Sequence, residues 1–127
     1  MTEPKNLRYT VIESTADGGS VFADAEIPLA DRTLAVGVPA MAVGGMPSAT
    51  GVSYLRSAGF DSEPHPAPAR QWVVMLRGAI EVITSDGKRR RFAPGDLVLA
   101  ADTEGRGHTT VAVGEPPFEA LFIPTAS

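Results

Sequence analysis

Apolar residues along this chain recur in short runs that alternate with polar residues, a pattern typical of β-strands and not of helices. The stretch 20–27 is the clearest case, because the acidic residues Asp24 and Glu26 separate apolar residues. Such alternation predicts a strand with one solvent-facing side, which Pro28 either ends or places at the edge of a sheet. By the same criteria, strands are predicted at residues 8–13, 33–38, 51–57, 70–77, 79–84, 88–92, 97–100, 108–112 and 118–123.

Turn-forming residues separate these segments. The chain has 13 glycines and 11 prolines, which interrupt helices and mark the ends of short strands. A Ser-Asp-Gly turn at 85–87 joins two predicted strands as a hairpin, and a Pro-Gly-Asp turn follows at 94–96. Residues 40–50 and 58–63 are predicted as loops, the first with a short strand. Together with the valine, isoleucine and threonine runs, this composition predicts an all-β sandwich or barrel.

The segment 70–77 is predicted to be a central strand. Both of its faces are apolar, which is typical of a strand buried on both sides. Gln71, Val73 and Met75 share one face, and we expect that face to line the interior. Trp72 points the other way, toward a second core layer or a subunit interface.

Length and composition limit the possible architectures. The 127 residues match one domain, large enough to bury a core without a disulfide or a structural metal. The chain has no cysteine, which excludes disulfides, cysteine-based zinc sites and thiol catalysis and suits a reducing compartment. The N-terminus is polar without an apolar signal segment, and the longest apolar run is too short to cross a bilayer. We therefore expect a soluble, cytoplasmic protein with no membrane partner.

Net charge argues against nucleic acid as a partner. The formal charge is −4 at pH 7, whereas a nucleic-acid surface needs a basic face. The one basic cluster, residues 88–91, falls in a predicted strand, where alternate side chains point to opposite faces. It is therefore interpreted as a solvated hairpin arm and not as a phosphate-binding patch.

The two histidines and the single glutamine of the chain lie in or near the segments that flank the central strand. His65 lies within the proline-rich segment 64–68, which cannot be a helix or a central strand and should be extended at a rim. Gln71 begins the central strand. His108 follows the loop 102–107, whose glycines permit positive φ and which lacks the following helix of a phosphate-binding loop.

The spacing of these residues resembles the first of the two signature motifs of the cupin superfamily, in which a His-x-His pair is followed by a glutamate and then a glycine. Aligned on Gly78, His65 takes the position of the first histidine. Ala67 takes the position of the second histidine and Gln71 that of the glutamate. Since Ala67 cannot bind a metal, this motif is incomplete.

The second cupin motif is matched after the Pro-Gly-Asp turn and an apolar strand. His108 stands at its histidine position and Ala112 at its asparagine position. The resemblance covers residues 11–124 and extends to small bacterial proteins with one cupin domain.

For the fold, the resemblance implies an all-β, cupin-like double-stranded β-helix, or jelly-roll, barrel. One domain would span residues 1–127, with the core barrel at about 51–124 and N-terminal strands within 8–43 completing the sheets. The resemblance also implies a homodimer.

For the site, the resemblance implies a metal bound by His65, Gln71 and His108, with the two histidines as catalytic residues. Two imidazoles and one amide carry no negative charge, so the interpretation allows one divalent ion (Mn, Fe, Ni or Zn) or none. With a metal, the implied chemistry is that of a lyase, an isomerase or an oxygenase.

Four further residues are predicted to contact a small-molecule ligand. Tyr54 offers a phenol, although a core tyrosine is the alternative. Arg70 offers a clamp for a carboxylate. Because it lies on the same strand face as Trp72, a surface salt bridge is an equally favoured alternative. Met75 and Thr110 belong to the faces predicted to point inward.

Three functions fit this pattern. The protein is a metal-dependent small-molecule enzyme, a metal-free enzyme or binder in which a histidine acts as acid or base, or a binding or sensing module without turnover. The sequence does not choose between an enzyme and a binding protein, because cupins host many activities. It does not indicate the substrate either.

Overall fold

A computed structural model describes residues 6–58 and 63–126, and over these residues the chain is all β. The strands are β1 (Asn6–Ser14), β2 (Ser20–Pro28), β3 (Ala30–Arg32), β4 (Met41–Val43), β5 (Ser53–Ser57), β6 (Gln71–Arg77), β7 (Ala79–Ile83), β8 (Arg89–Phe92), β9 (Leu97–Ala100), β10 (Thr109–Val113) and β11 (Phe118–Pro124). Within the described ranges, no helix is long and apolar enough to cross a membrane.

Two sheets form the body of the protein. The larger has the strand order β2-β1-β9-β6-β11-β5, and the smaller has the order β10-β7-β8. Strands β3 and β4 pair with each other in a separate small sheet. Neighbours in the larger sheet are antiparallel except β1 and β9, which run parallel. The prediction of an all-β fold is confirmed, and β6 lies inside its sheet as expected.

The main hydrophobic core lies between the larger and the smaller sheet, because both contribute buried side chains to it. Met75 is 1% exposed and packs in this core, as the alternation along β6 predicted. The other buried members are Ile12, Ile80, Val82, Phe92, Val98, Phe118 and Ala120.

A second apolar cluster covers the other face of the larger sheet. Trp72 is 2% exposed there and meets Tyr9 edge to face, with ring centroids 4.8 Å apart. Val11, Ile27 and Leu99 complete the buried part of this cluster. The chain itself therefore buries Trp72, and the homodimer stays a prediction.

The hairpin of β7 and β8 forms around the predicted turn, and its basic residues are solvated. The Arg89 guanidinium lies 2.7 Å from the carboxylate of Glu81. The Arg90 guanidinium lies 2.7 Å from that of Asp24 and also over the ring of Phe22. These surface contacts agree with the interpretation as a hairpin arm.

The strand predicted at 33–38 is wrong. Strand β3 ends at Arg32, and the chain then turns at Gly37, which has a φ of +82°. Leu34 and Val36 are exposed, at 61% and 103%. A β-favouring sequence forms a strand only where a neighbouring strand can pair its N–H and C=O groups.

The remaining connections follow the prediction where they are described. The short strand expected within 40–50 is β4. The loop predicted at 58–63 falls mostly on residues 59–62, which lie outside the described residues.

Candidate small-molecule cavity

A cavity of about 330 Å³ lies between the two sheets. Its few polar side chains are His65, Gln71, His108 and Thr110. A mostly apolar cavity with a small number of polar groups is the usual form of a small-molecule site, and this one is at the small end of the usual range. The apolar wall consists of Ile12, Leu55, Val73, Ile80, Val82, Val98, Ala100, Phe118 and Phe122, with Pro66, Ala67 and Pro68 beside His65.

Backbone pairing holds the two histidines side by side. The N–H of His65 donates to the C=O of His108 and the reverse bond also forms, both with N···O distances of 3.0 Å. The centroids of the two imidazole rings lie 5.4 Å apart. This single antiparallel bridge connects the proline-rich segment to the glycine loop.

Glycine at position 107 is required for this bridge. Gly107 has a φ of +71°, and a Cβ atom added there would lie 2.0 Å from the carbonyl oxygen of His65. Any side chain would therefore push the two segments apart. The prediction that the glycines of the loop adopt positive φ is confirmed, since Gly105 also does so.

A buried carboxylate holds the ring of His108. Asp102 is 0% exposed, and its Oδ2 lies 2.5 Å from Nδ1 of His108. The backbone C=O of Asp102 accepts the N–H of Ala67 at 2.9 Å, which ties the loop to the proline-rich segment a second time. The other carboxylate oxygen, Oδ1, has no hydrogen-bond partner within the described part of the chain.

Sequence reasoning missed Asp102, because it was grouped with the glycine loop. The available signal was its position, since an acidic residue that directly follows an apolar strand and precedes a histidine is a candidate partner for that histidine.

His65 occupies a more open position. Its side chain is exposed, whereas His108 is 9% exposed, so His65 lies nearer the mouth of the cavity. Nδ1 of His65 lies 2.9 Å from the backbone oxygen of Glu63. Each histidine therefore has an oxygen partner at Nδ1.

Gln71 is buried, at 6% exposed, and lines the cavity. Within residues 6–58 and 63–126 we find no hydrogen bond to its side-chain amide. Its amide is not among the fully enclosed polar atoms without a partner, so it borders the open volume of the cavity. In this position, a bound molecule can supply the partner.

The other predicted contact residues are placed differently. Thr110 lines the cavity, half-buried, as predicted. Met75 lies in the core between the sheets and is not part of the cavity wall. Arg70 is exposed and lies in a groove on the other side of the larger sheet, beside Tyr9 and Glu104. Its expected role as a carboxylate clamp at the cavity therefore does not agree with its position.

Tyr54 also lies away from the cavity. It is 50% exposed on β5, and the alternation of that strand turns its neighbour Leu55 inward instead. The Tyr54 hydroxyl donates to the carboxylate of Glu119. This bond, together with the guanidinium groups of Arg56 and Arg77, holds the pKa of Glu119 below its usual range against the opposing effect of desolvation.

The cavity has no fixed cation in its wall. No lysine or arginine is among the described residues that line it, so the histidines are its only ionisable side chains. A ligand with a full negative charge would find no permanently charged partner there.

The donor set fits a tightly bound divalent metal poorly. Within the described ranges, no group of at least three His, Cys, Asp or Glu residues is placed to hold an ion. The cavity offers two imidazoles and the neutral amide of Gln71, while Ala67 offers no donor. A carboxylate or a third imidazole is the usual further ligand.

No protein-family model matches this sequence, and no curated protein matches it as a relative.

Proposed function

We propose that this chain is a cupin-like protein that binds a small, mostly apolar molecule in the cavity between its two sheets. The bound molecule packs its body against the apolar wall and its polar head against His65, Gln71 and His108. The observation that carries the proposal is the amide of Gln71, a residue only 6% exposed, which borders the cavity and has no hydrogen-bond partner in the described chain.

The chemistry of the wall favours a binding site over a packing defect. An empty cavity forfeits dispersion contacts, and the amide in its wall needs a hydrogen-bond partner. A leucine in place of Gln71 would fill space without that need. A ligand that fills the cavity and bonds the amide meets both demands at once.

Two features support the cupin-like form of the proposal. The residues at the ligand positions of the two motifs line one cavity, although they are far apart in the sequence. A backbone bridge between His65 and His108, for which Gly107 makes room, joins the two segments that carry the motifs.

Turnover by acid–base catalysis is a second candidate, favoured by the contact between Asp102 and His108. A carboxylate at Nδ1 orients an imidazole and leaves Nε2 to exchange a proton with a bound molecule. A His108→Gln variant that still binds the ligand but no longer converts it would separate turnover from binding.

A cavity-filling variant tests the binding proposal. Ala100 is 4% exposed and lines the cavity, so Ala100→Leu should occupy part of the ligand volume. Benzyl alcohol should raise the melting temperature of the wild-type protein and leave that of Ala100→Leu unchanged. Leu76→Ala, on the exposed side of β6, is the matched control and should respond like the wild type.

Equal responses in the wild type and in a folded Ala100→Leu variant would contradict the proposal. If that variant does not fold, Ala67→Leu offers a second filling substitution outside the sheets.

The metal implied by the resemblance stays a prediction with its own measurement. Elemental analysis of untagged protein, purified without added metal or chelator, should find one ion per chain if the prediction is right. The ion should then be lost in His65→Ala.

A further inference from the structure

The partners of the two histidines at the cavity favour a hydrogen on Nδ1 in each neutral ring. The partner of Nδ1 in His65 is the backbone carbonyl of Glu63 at 2.9 Å, and a carbonyl oxygen can only accept. The partner in His108 is the carboxylate of Asp102 at 2.5 Å, which also accepts. In each neutral ring, Nε2 is then left with a lone pair and no hydrogen.

These two lone pairs belong to side chains that line one cavity. The backbone bonds between His65 and His108 set the spacing of the two segments that carry the rings. Gln71 adds an amide, with one acceptor oxygen and one donor NH2 group. Acceptors therefore outnumber donors among these three side chains.

Electrostatics disfavours an anion in the same place. A carboxylate or phosphate would lose its water without meeting a lysine or arginine among the described lining residues. The buried carboxylate of Asp102 lies directly behind His108 and would repel a second negative charge.

We infer that the ligand of this cavity is a neutral molecule with an apolar body and a hydrogen-bond donor in its head, the class of aromatic or branched alcohols, phenols and primary amides. The inference rests on the proposed function, because it names the chemistry of the molecule bound there. The head donates to Nε2 of His108 or His65, and the amide of Gln71 bonds its remaining polar atom.

Three probes of similar size test the head group. Benzyl alcohol has a donor, benzyl methyl ether has only an acceptor, and benzoate is an anion. Their dissociation constants would be measured by NMR titration of the protein. We expect the alcohol to bind about tenfold more tightly than the ether, as one hydrogen bond can supply, and benzoate to bind most weakly.

The order of the three affinities separates two kinds of failure. If none of the probes binds, the proposed function is overturned and the inference falls with it. If they bind but the ether equals the alcohol, or benzoate binds most tightly, only the inference is overturned.

The ring tautomers provide a readout that needs no ligand. The chain has only two histidines, so the ¹⁵N signals of both rings can be assigned in the free protein. Both rings should carry the hydrogen on Nδ1, and a hydrogen on Nε2 in both neutral rings would overturn the inference.

A substitution at the mouth of the cavity assigns the preference to the histidines. His65→Leu removes one acceptor, keeps the apolar volume and leaves the backbone bridge intact. The roughly tenfold higher affinity for benzyl alcohol than for benzyl methyl ether should become smaller in this variant and should stay unchanged in Leu76→Ala. An unchanged preference in both His65→Leu and His108→Leu would contradict the assignment.

Discussion

The two faces of strand β6 carry similar apolar side chains but are filled differently. On the outer face, Trp72 packs against Tyr9 and is 2% exposed. On the inner face, Gln71 and Val73 border the cavity. One face is closed by the chain itself, and the other leaves a space that a second molecule can fill.

Each face also carries a polar group that lacks a hydrogen-bond partner in the described chain. On the outer face the indole Nε1 of Trp72 is fully enclosed, whereas on the inner face the amide of Gln71 is reached from the cavity. Of these two residues, Gln71 is the one that borders the cavity between the sheets. A polar group without a partner therefore points to a binding site where it faces a cavity. Where it is fully enclosed, it is only a cost of packing.

Removal of the indole should have the largest effect on stability. Trp72→Ala leaves a void against Tyr9 and Leu99 and should lower the free energy of unfolding by about 3–5 kcal/mol, measured by urea denaturation. Trp72→Phe keeps an aromatic ring and removes the unpaired N–H, so its cost should stay below about 1.5 kcal/mol. A loss below about 1 kcal/mol in Trp72→Ala would show that the outer face is not a core.

The inner face should respond differently. Gln71→Leu replaces an amide that has no protein partner by an apolar side chain, so it should not lower the free energy of unfolding, while it weakens binding of benzyl alcohol. Gln71→Glu is the matched control and should be destabilising, because it buries a carboxylate without a cation beside it. If Gln71→Leu is destabilising instead, the amide is already satisfied inside the protein.

Tyr54 should give the smallest effect on the free energy of unfolding, and that effect should be present at neutral pH and disappear at acid pH. Its hydroxyl helps to hold the pKa of Glu119 below the usual range, so Tyr54→Phe should raise that pKa toward its ordinary value. Because the folded-state pKa is depressed, the stabilisation from Glu119 is present above the ordinary glutamate pKa and is lost as the pH falls through the folded-state value.

The two readouts for Tyr54 are an NMR titration of Glu119 and the binding of benzyl alcohol. The first should change in Tyr54→Phe and the second should not. A clear loss of binding would place Tyr54 at the cavity after all.

Local patterns predicted most of the strands and the inner face of β6. Alternation along Gln71, Val73 and Met75 depends only on the geometry of one strand, so no long-range information was needed. The glycine at 107 was likewise informative, since a histidine delivered by a tight loop needs residues that tolerate positive φ. The motif spacing added that His65 and His108 belong together, which periodicity alone does not reveal.

The errors concern features that depend on distant partners. The segment 33–38 has the composition of a strand, but pairing requires a neighbour that composition does not specify. Tyr54 was assigned to the pocket by its chemistry, although Leu55 is the residue of β5 that turns inward. Asp102 was missed because its role appears only when the loop folds back on His108.

The most direct test of the proposed site uses the side-chain amides of the protein. The chain has one glutamine and one asparagine, so its side-chain NH2 signals come from Gln71 and Asn6 alone. Asn6 is exposed and donates to Glu26 at 2.7 Å on the surface, which makes it an internal control. Titration with benzyl alcohol should shift the Gln71 signals to saturation and leave the Asn6 signals in place. If the Gln71 signals do not move, or move only in parallel with those of Asn6, the cavity is not the binding site that we propose.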